Sequence, residues 1–325
     1  MKKRLFSGIQ PSGEIHIGNY LGAIKNWVAL QETHDAIICV VDYHAITVRQ
    51  NADEFRKRIF DTALSLMAAG IDPDKAALFV QSRVPEHTEL AWILGTVIHM
   101  GHLERMTQYK QKAEQHPDDI NVGLFTYPVL QTADIALYKA EVVPVGEDQV
   151  QHIELAREIV RRFNARCGAM FPEPEALVGT AARILGLDGK SKMSKSMNNT
   201  LGLVDSPETL EKKLRPAVTD VNRKRRNDPG NPEICNIYAL HKHFSPVPVV
   251  DEINVECRRA GIGCIDCKLK LAGHMTLALA PVRERHAALT ANPGRVVDAL
   301  DHGAARCQAM ARETMEPVRA ALGVR

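Results

Sequence analysis

The sequence predicts an α/β chain, with a parallel sheet and helical crossovers in its first half and a mainly helical second half. Short apolar runs rich in β-branched residues recur in the first half and alternate with helical segments, which is typical of parallel sheets. Beyond residue 190 the helical pattern continues without a convincing strand. We therefore expect two domains, residues 1–190 and 191–325.

The elements of the first half are expected in a regular order. The strands are predicted at residues 5–9, 36–41, 77–80 and 142–145. The helices are predicted at residues 53–69, 85–97, 103–115, 122–138 and 146–166. The first of these helices has apolar residues at helical spacing and stops at Gly70.

A connector containing proline, glycine and lysine follows Phe171, and its weak periodicity predicts a loop-rich joint. Helical patterns then resume at residues 207–214, 268–289 and 294–322. The second domain is therefore expected to be all-helical.

The composition is that of an ordinary globular protein. Of 325 residues, 45% are hydrophobic and 25% are charged, which excludes a disordered, collagen-like or repetitive chain. The longest apolar runs are far shorter than a bilayer span, and the first ten residues lack the apolar core of a signal peptide. We therefore predict a cytoplasmic protein with no membrane partner.

The formal charge of +2 gives no global sign of nucleic-acid binding, so such a partner must bind a local basic patch. One candidate is "NRKRRN" at residues 222–227. The other is a series of arginines on a predicted helix: Arg157, Arg161, Arg162 and Arg166. Taken alone, either patch is more simply a solvated charged surface.

A glycine-rich turn follows the first predicted strand, in "GIQPSGEIHIGNYLGAI" at residues 8–24. Its glycines allow close backbone approach, Pro11 stiffens the turn, and His16 and Asn19 supply polar groups near a helix start. Ligands of parallel sheets bind at the carboxyl ends of the strands, where helix N-termini favour anions. A phosphate or nucleotide suits this turn, although spacing alone equally fits a turn with a capping histidine.

A second short motif, "KMSKS" at residues 192–196, lies in the predicted joint. Two lysines flanking a polar turn could neutralise the charge that builds up on a leaving pyrophosphate.

Together, "HIGN" at residues 16–19 and "KMSKS" resemble the paired signatures of class I aminoacyl-tRNA synthetases. Asn19 stands where many members of that class have a second histidine. Further blocks resemble bacterial tryptophanyl-tRNA synthetases along nearly the whole chain: "VDYHAIT" at 41–47, "QSRVPEHTELAWIL" at 81–94, "LERMTQYK" at 103–110, "TYPVLQTADIALY" at 126–138 and "VPVGEDQVQHIELAREI" at 143–159.

This resemblance implies a Rossmann-like catalytic domain that binds ATP and tryptophan, followed by a helical anticodon-binding domain that begins with the KMSKS loop. The implied reaction joins L-tryptophan to ATP as tryptophanyl-adenylate, releases pyrophosphate and transfers tryptophan to tRNA(Trp). Such a reaction needs positioning and charge stabilisation rather than a protein nucleophile. A homodimer is also implied, through the helices around residues 86–109.

Motif matching implies the ATP site. His16, Asn19, Lys192 and Lys195 are expected to act on the phosphates, with Mg²⁺ sharing the charge. The expected ATP contacts are Gln10, Pro11, Ser12, Gly18, Asn19, Gly146, Glu147, Asp148, Ile184, Lys192, Met193, Ser194, Lys195 and Ser196. The loop around the lysines is expected to close only when ATP is bound.

Motif matching also implies the amino-acid site. A buried indole N–H needs an acceptor, and Asp134 matches the family's carboxylate. From its neighbours alone, Asp134 could equally be a solvent-exposed helix carboxylate. The other expected tryptophan contacts are Phe6, Gly8, His44, Tyr127, Gln131, Val143, Val145 and Gln149.

Four of the seven cysteines are clustered: Cys235, Cys257, Cys264 and Cys267. Their spacing fits a zinc site, an iron–sulfur cluster or unligated thiols, and it favours zinc among these. Some tryptophanyl-tRNA synthetases carry a 4Fe-4S cluster on a similar set, and this resemblance favours iron–sulfur over Zn²⁺. The scattered cysteines, Cys39, Cys167 and Cys307, are expected to be small core residues.

Two rival functions remain open at this level. One is a tyrosyl-tRNA synthetase or another nucleotidyltransferase of the same superfamily. The other is an inactive synthetase-like protein that senses redox state or RNA through its cysteines.

Overall fold

The computed structural model describes residues 2–115, 120–179, 184–194 and 197–324, without the side chains of residues 111–113 and 115. Its strands are β1 (Arg4–Ile9), β2 (Asp35–Val40), β3 (Ala76–Val80), β4 (Val142–Val145) and β5 (Glu175–Val178). They form one parallel sheet in the order β3-β2-β1-β4-β5. The four predicted strands are confirmed, and β5 is an addition within the predicted loop-rich joint.

The eight predicted helical segments are all present, and the structure adds helices at Ile17–Asn19, Lys25–Leu30, Asp42–Ala45, Asn236–Phe244 and Val247–Arg258. Those before β4 are α1 (Ile17–Asn19), α2 (Lys25–Leu30), α3 (Asp42–Ala45), α4 (Ala52–Ala69), α5 (Glu86–Gly95), α6 (Met100–Glu104), α7 (Thr107–Gln115) and α8 (Val122–Ala136). Those after β4 are α9 (Val150–Cys167), α10 (Pro207–Leu214), α11 (Asn236–Phe244), α12 (Val247–Arg258), α13 (Cys264–Ala291) and α14 (Gly294–Leu322). A π-helical turn, Tyr20–Ile24, joins α1 to α2. The single helix predicted at 103–115 is two helices, α6 and α7.

The chain forms two compact units that differ from the predicted domains. Unit 1 comprises residues 1–13, 25–180 and 289–325, and unit 2 comprises residues 14–24 and 181–288. The first difference is that residues 14–24 join the helical unit. The second is that the C-terminal helix joins the sheet, whereas the predicted division at 190 placed it with the second domain.

Packing explains why α14 belongs to unit 1. Its buried side chains recur at helical spacing, from Val296 through Cys307 to Val318, and several lie in the core cluster of the sheet. Gly303 lets the helix approach β3 closely, because a Cβ there would overlap the Leu78 carbonyl oxygen. An apolar stripe in the sequence thus finds its partner far away along the chain.

The core of unit 1 is the sheet itself. Residues 36–40 of β2 are fully buried, as expected for a parallel strand covered on both faces. Unit 2 has its own apolar interior, which includes Leu201, Leu210, Ile237 and Leu271. Among the described residues, no helix is both long and apolar enough to cross a membrane.

Candidate functional site

The predicted site residues of unit 1 gather at the carboxyl edge of the sheet. The turn 10–13 follows β1, α3 with His44 follows β2, and residues 146–149 follow β4. Between β1 and β4 the strand order reverses direction along the sheet. Ligands of such sheets bind in the crevice at this reversal, so the topology supports a ligand site beside residues 10–13 and 146–149.

The turn after β1 is tight. The Ser12 amide donates to the Gln10 carbonyl at 2.8 Å, and Gly13 has a φ of 133°, which favours glycine. Gln10 and Ser12 are exposed and Pro11 is buried. The turn therefore presents polar groups from a stiff backbone.

Asp134 is the centre of a buried hydrogen-bond network in unit 1. His44 Nε2 lies 2.7 Å from Asp134 Oδ2, while Gln81 Nε2 and His87 Nδ1 lie 2.7 and 2.6 Å from Oδ1. The Asp134 side chain comes from α8 and is only 1% exposed as a residue. The alternative of a solvent-exposed carboxylate is therefore excluded.

The network also fixes the charge of this carboxyl. Burial alone would raise the pKa of Asp134, but the adjacent His44 and His87 side chains hold it well below its usual range. Asp134 is therefore a buried, ionised acceptor. Such a group requires N–H or O–H donors around it.

The remaining predicted tryptophan contacts of unit 1 lie on β1, β4, α8 and the 3₁₀ turn that follows β4. Phe6 and Val143 are buried, and Phe6 stacks on Tyr138 with ring centroids 5.8 Å apart. Tyr127 is hydrogen-bonded to His152 at 2.8 Å, and burial raises the pKa of its hydroxyl to about 12. Position 8 favours glycine, because a Cβ there would lie 2.8 Å from a Val41 methyl group. Val145, Gln131 and Gln149 are half-buried, while Gly146, Glu147 and Asp148 are exposed.

In unit 2, the HIGN segment forms a capped helix start. The Asn19 amide donates to His16 Nδ1, and the His16 amide donates to Asn19 Oδ1, which together make a capping box. Backbone hydrogen bonds tie this segment to a later one: Ile17 donates to Leu201 and Leu203 donates to Ile15. The capping histidine of the predicted turn is thus confirmed as a local structure.

The two signature segments meet within unit 2. A Cβ on Gly18 would lie 3.0 Å from the His16 ring and 3.3 Å from Met193 Cβ. Met193 is buried, whereas Lys192 beside it is exposed. Glycine at position 18 therefore allows the HIGN turn to pack directly against the start of KMSKS. Lys195 and Ser196 lie outside the described residues.

Asn199 holds the start of KMSKS in place. Its amide oxygen accepts from the Ser194 amide at 2.7 Å, and its amide nitrogen donates to Asp188, Ser191 and the Lys192 carbonyl. Hydrogen bonds from Ser191 and the Lys190 amide lower the pKa of Asp188 to about 2. Ile184, the predicted adenine contact in the same unit, is buried.

Sequence reasoning did not find Gln81, His87, Asp188 or Asn199. Each of them acts through another side chain or a loop backbone rather than through a motif. Gln81 and His87 lie in the block at residues 81–94, but nothing in the sequence indicates that both side chains reach Asp134.

The four clustered cysteines converge at helix ends in unit 2. Cys235 precedes α11, Cys257 lies near the end of α12, and Cys264 and Cys267 lie in the first turn of α13. Burial raises the pKa of three of these thiols, that of Cys267 to about 12, and each of the three also feels neighbouring thiols of the set. Among the described residues, however, no group of three or more potential ligands is arranged to hold a metal ion.

The two basic patches differ. Arg157, Arg161 and Arg162 of α9 pair with Glu154, Glu158 and Glu173, so their charges are largely compensated. In the 222–227 patch, Arg223 turns inward and donates to the Ile262 carbonyl, while Lys224, Arg225 and Asn227 are exposed. The 222–227 patch is therefore the better candidate for an anionic partner.

The family model described as tRNA synthetases class I (W and Y) matches residues 1–280 of the chain. The chain belongs to this family. It is 50% identical over 325 residues to a tryptophan–tRNA ligase of Deinococcus radiodurans, a match that covers 98% of each protein. It is 43% identical to a tryptophan–tRNA ligase of Wolinella succinogenes, over 100% of this chain and 99% of that one.

Among solved structures, a tryptophanyl-tRNA synthetase from Campylobacter jejuni complexed with ADP and tryptophan superimposes with a TM-score of 0.90 and 37% identity. The match covers 99% of this chain and 100% of that one. The predicted family and the Rossmann-like parallel sheet with a helical region are thus confirmed.

Proposed function

We propose that unit 1 selects L-tryptophan and that unit 2 supplies the side chains that grip the phosphates of ATP. The chain is an ATP-dependent tryptophan–tRNA ligase, which forms tryptophanyl-adenylate and transfers tryptophan to tRNA(Trp). The observation that carries the proposal is the packing of Gly18 against Met193, which joins the HIGN and KMSKS segments.

Adenylate formation requires an attack of the tryptophan carboxylate on the α-phosphorus of ATP, with pyrophosphate as the leaving group. No protein nucleophile takes part, so the chain acts by positioning and by stabilising charge. His16, Asn19, Gly18, Met193 and Ser194 shape the phosphate side of the site. Lys192 and Lys195 neutralise the pyrophosphate, and Mg²⁺ bound to the nucleotide shares that charge.

Each unit by itself offers further proposed ATP contacts, which are Ile184 in unit 2 and two segments at the carboxyl edge of the sheet in unit 1. Gln10, Pro11 and Ser12 offer polar groups from the stiff turn after β1. The exposed segment Gly146, Glu147 and Asp148 offers acceptors for ribose and adenine.

Asp134 gives tryptophan selection its physical basis. A carboxylate oxygen has two acceptor positions, and Asp134 Oδ1 already accepts from Gln81 and His87. Among the residues that the structure describes, Oδ2 accepts from His44 alone, and so it can accept the indole N–H. Apolar contacts from Phe6, Gly8, Val143 and Val145 complete the pocket, and Tyr127, Gln131 and Gln149 bind the amino-acid backbone.

Amino-acid-dependent exchange between pyrophosphate and ATP tests this function. Tryptophan is expected to support exchange and tyrosine is not, which separates the protein from a tyrosyl enzyme and from an inactive binding protein. Lys192→Ala is expected to slow exchange by at least 10-fold, because one charge on the leaving group loses its partner. Lys190→Ala, which removes an exposed lysine two residues earlier, is the matched control. Equal effects of the two variants would refute the assignment of Lys192.

The tRNA partner is proposed to bind unit 2, where the 222–227 patch offers exposed positive charge for phosphates. The anticodon-binding role falls on the helices of unit 2 rather than on α14, since α14 packs in unit 1. A cytoplasmic location is proposed, because tRNA(Trp) is charged where the translation machinery works.

The four-cysteine site is proposed to hold a 4Fe-4S cluster, with Zn²⁺ as the alternative. Thiolates suit both, and Cys235, Cys257, Cys264 and Cys267 would be the ligands. Hydrogen bonds to sulfur support a bound group at these cysteines. Thr219 Oγ1 and an Arg223 terminal nitrogen each lie 3.7 Å from Cys264 Sγ. The buried Arg223 Nε has no hydrogen-bond partner among the described residues, so it remains available to the bound group. A bound cluster would supply a covalent clamp for the ends of α11, α12 and α13.

Iron, zinc and acid-labile sulfide analysis of anaerobically purified protein, with an absorption spectrum, decides between these groups. The expected result is about four iron and four sulfide per chain, with a broad visible band. One zinc without that band would refute the cluster, and Cys167→Ser serves as a control for cysteine loss outside the set.

A homodimer is proposed through α5 and α6. Trp92 is 79% exposed and Met100 is 65% exposed, which is unusual for such large apolar side chains. A second copy of the chain would cover this surface. Sedimentation velocity is expected to report a dimer, and Trp92→Arg is expected to shift it toward monomer. The control is Leu277→Arg, which changes a similarly exposed apolar residue of unit 2; equal dissociation by both variants, or by neither, would refute this surface.

A further inference from the structure

A chain of buried hydrogen bonds leads from the Tyr138 hydroxyl through His87 to Asp134. His87 Nδ1 lies 2.6 Å from Asp134 Oδ1, and His87 Nε2 lies 2.7 Å from the Tyr138 hydroxyl. Tyr138 lies in the same buried core cluster as Cys307 of α14. Because His87 and Tyr138 are fully buried, bulk water cannot compete for these groups.

The chemistry of these groups determines which of them donates and which accepts in each hydrogen bond. A carboxylate can only accept, so His87 Nδ1 carries the proton that points at Asp134. In a neutral imidazole Nε2 is then the acceptor, and the Tyr138 hydroxyl donates to it. The tautomer is thus assigned from the hydrogen-bond network. Tyr138 acts by holding His87 in the tautomer that Asp134 needs.

The second donor to Asp134 Oδ1 is fixed in a similar way. The Gln81 amide oxygen accepts from the Tyr43 amide at 3.1 Å, which turns the Gln81 nitrogen toward Asp134. Two fixed donors therefore fill both acceptor positions of Oδ1. Within the part of the chain that the structure describes, the acceptor position that remains on this carboxylate is on Oδ2.

We propose that His87 is a positioning residue for amino-acid selection, which holds Asp134 with Oδ1 filled and Oδ2 open to an indole N–H. The proposal rests on the proposed function, in which Asp134 accepts that N–H. His87 touches Asp134 rather than the substrate. Its effect is to make the site reject a ring of the same shape that lacks an N–H donor, because Asp134 would then be left incompletely paired.

A purely structural role makes a different prediction. His87 also stacks on Phe79, with ring centroids 5.9 Å apart, so its loss removes packing as well as a hydrogen bond. Lost packing would lower the stability of unit 1 without changing the choice between two ligands of equal shape. The choice of ligand therefore separates the two roles.

Two amide substitutions separate the role of the Nδ1 donor from that of Nε2. In His87→Asn the amide nitrogen can occupy the place of Nδ1 and donate to Asp134. In His87→Gln the amide nitrogen reaches the place of Nε2 instead, so the donor to Asp134 is lost. Gln31→Leu is the control for destabilisation, because Gln31 is a buried residue of unit 1 that bonds Gly70 and Asp72 but not the Asp134 network.

The assay is pyrophosphate exchange with tryptophan and with 3-benzothienylalanine, in which sulfur replaces the indole N–H. The ratio of kcat/KM for the two amino acids is measured in the full-length protein. His87→Gln is expected to lower this ratio by roughly 10-fold or more, because a hydrogen bond to a charged group is at stake. His87→Asn and Gln31→Leu are expected to keep it within about 3-fold of the unmodified protein, and KM for ATP is expected to stay unchanged throughout.

Several outcomes would overturn the proposal. An unchanged ratio in His87→Gln would do so, and so would equal losses in His87→Asn and His87→Gln. If His87→Gln does not fold, Tyr138→Phe is the deciding variant, because it removes only the hydroxyl that bonds His87. A ratio equal to that of the unmodified protein would then contradict the role of this hydrogen-bond chain.

Asp134→Asn, measured in parallel, separates this proposal from the one on which it rests. If Asp134→Asn leaves the ratio unchanged, the indole assignment itself fails. If Asp134→Asn abolishes the preference while His87→Gln does not, only the role of His87 fails.

Discussion

Gly303→Ala tests whether the C-terminal helix is part of the sheet unit. The added Cβ would overlap the Leu78 carbonyl oxygen and would lie 2.7 Å from the Leu78 carbonyl carbon. Carbon atoms in contact normally stay about 3.5–4.0 Å apart, so α14 must shift by about 1 Å. Both partners are backbone atoms of β3, which cannot rotate away as a side chain could.

The magnitude follows from two opposing effects. Overpacking of this kind lowers the free energy of unfolding by up to about 3 kcal/mol. Alanine in place of glycine within a helix raises it by up to about 1 kcal/mol. The expected net loss is about 2 kcal/mol. For a unit of this size, such a loss lowers the melting temperature by roughly 4–8 °C.

Gly273→Ala is the matched control, because Gly273 lies within α13 and nothing is within 4 Å of an added Cβ. It should stabilise its helix by about 0.5–1 kcal/mol. The melting temperature, monitored by circular dichroism, measures the stability change of each variant. Amide hydrogen exchange in β3 measures whether the strand is disturbed by the shift of α14. If Gly303→Ala were as stable as Gly273→Ala, the close approach of α14 to β3 would be refuted.

Two further substitutions test the phosphate side of the site in unit 2. Gly18→Ala is expected to push the HIGN turn away from Met193 and to raise KM for ATP by roughly 10-fold, whereas Gly22→Ala meets nothing within 4 Å and should leave it unchanged. A normal KM for ATP in Gly18→Ala would contradict the packing of the two signatures. Asn199→Ala removes the side chain that holds the start of KMSKS, so kcat for exchange should fall by about 10-fold with an unchanged KM for tryptophan. Asn198→Gly keeps the left-handed backbone at the neighbouring position and is its control; equal kcat values in the two variants would refute the role of Asn199.

The sheet could be predicted because its strands carry a strong physical signal. A parallel strand covered on both faces reads as an apolar, β-branched run, and residues 36–40 show it clearly. The short strand β5 escaped because its four residues are exposed or half-buried and lack alternation. Its pairing with β4 comes from the tertiary arrangement rather than from local preference.

The placement of α14 could not be predicted for a different reason. Its apolar stripe signals a buried face, but periodicity does not reveal which surface covers that face. Chain order placed the helix with its neighbours in the second domain. The structure places it on β3, more than 200 residues earlier in the sequence.

The site was predictable to the extent that it consists of motifs. The carboxyl-edge rule indicated the turn after β1, and the family resemblance named Gln10, Pro11, Ser12, His44 and Asp134, whose roles stay predictions. Gln81 and His87 escaped because a polar residue that serves another side chain leaves no pattern of its own. A sequence reader would place both at the surface, yet both are fully buried.

The residues that escaped prediction connect Asp134 to the core of unit 1. Asp134 accepts from His87, His87 is hydrogen-bonded to Tyr138, and Tyr138 lies in one buried core cluster with Cys307 of the last helix. Residues 181–288 separate most of unit 1 from that helix along the chain. The core cluster that contains Tyr138 is therefore complete only after α14 has packed on β3, so the proposed amino-acid site rests on a core to which the C-terminal helix contributes.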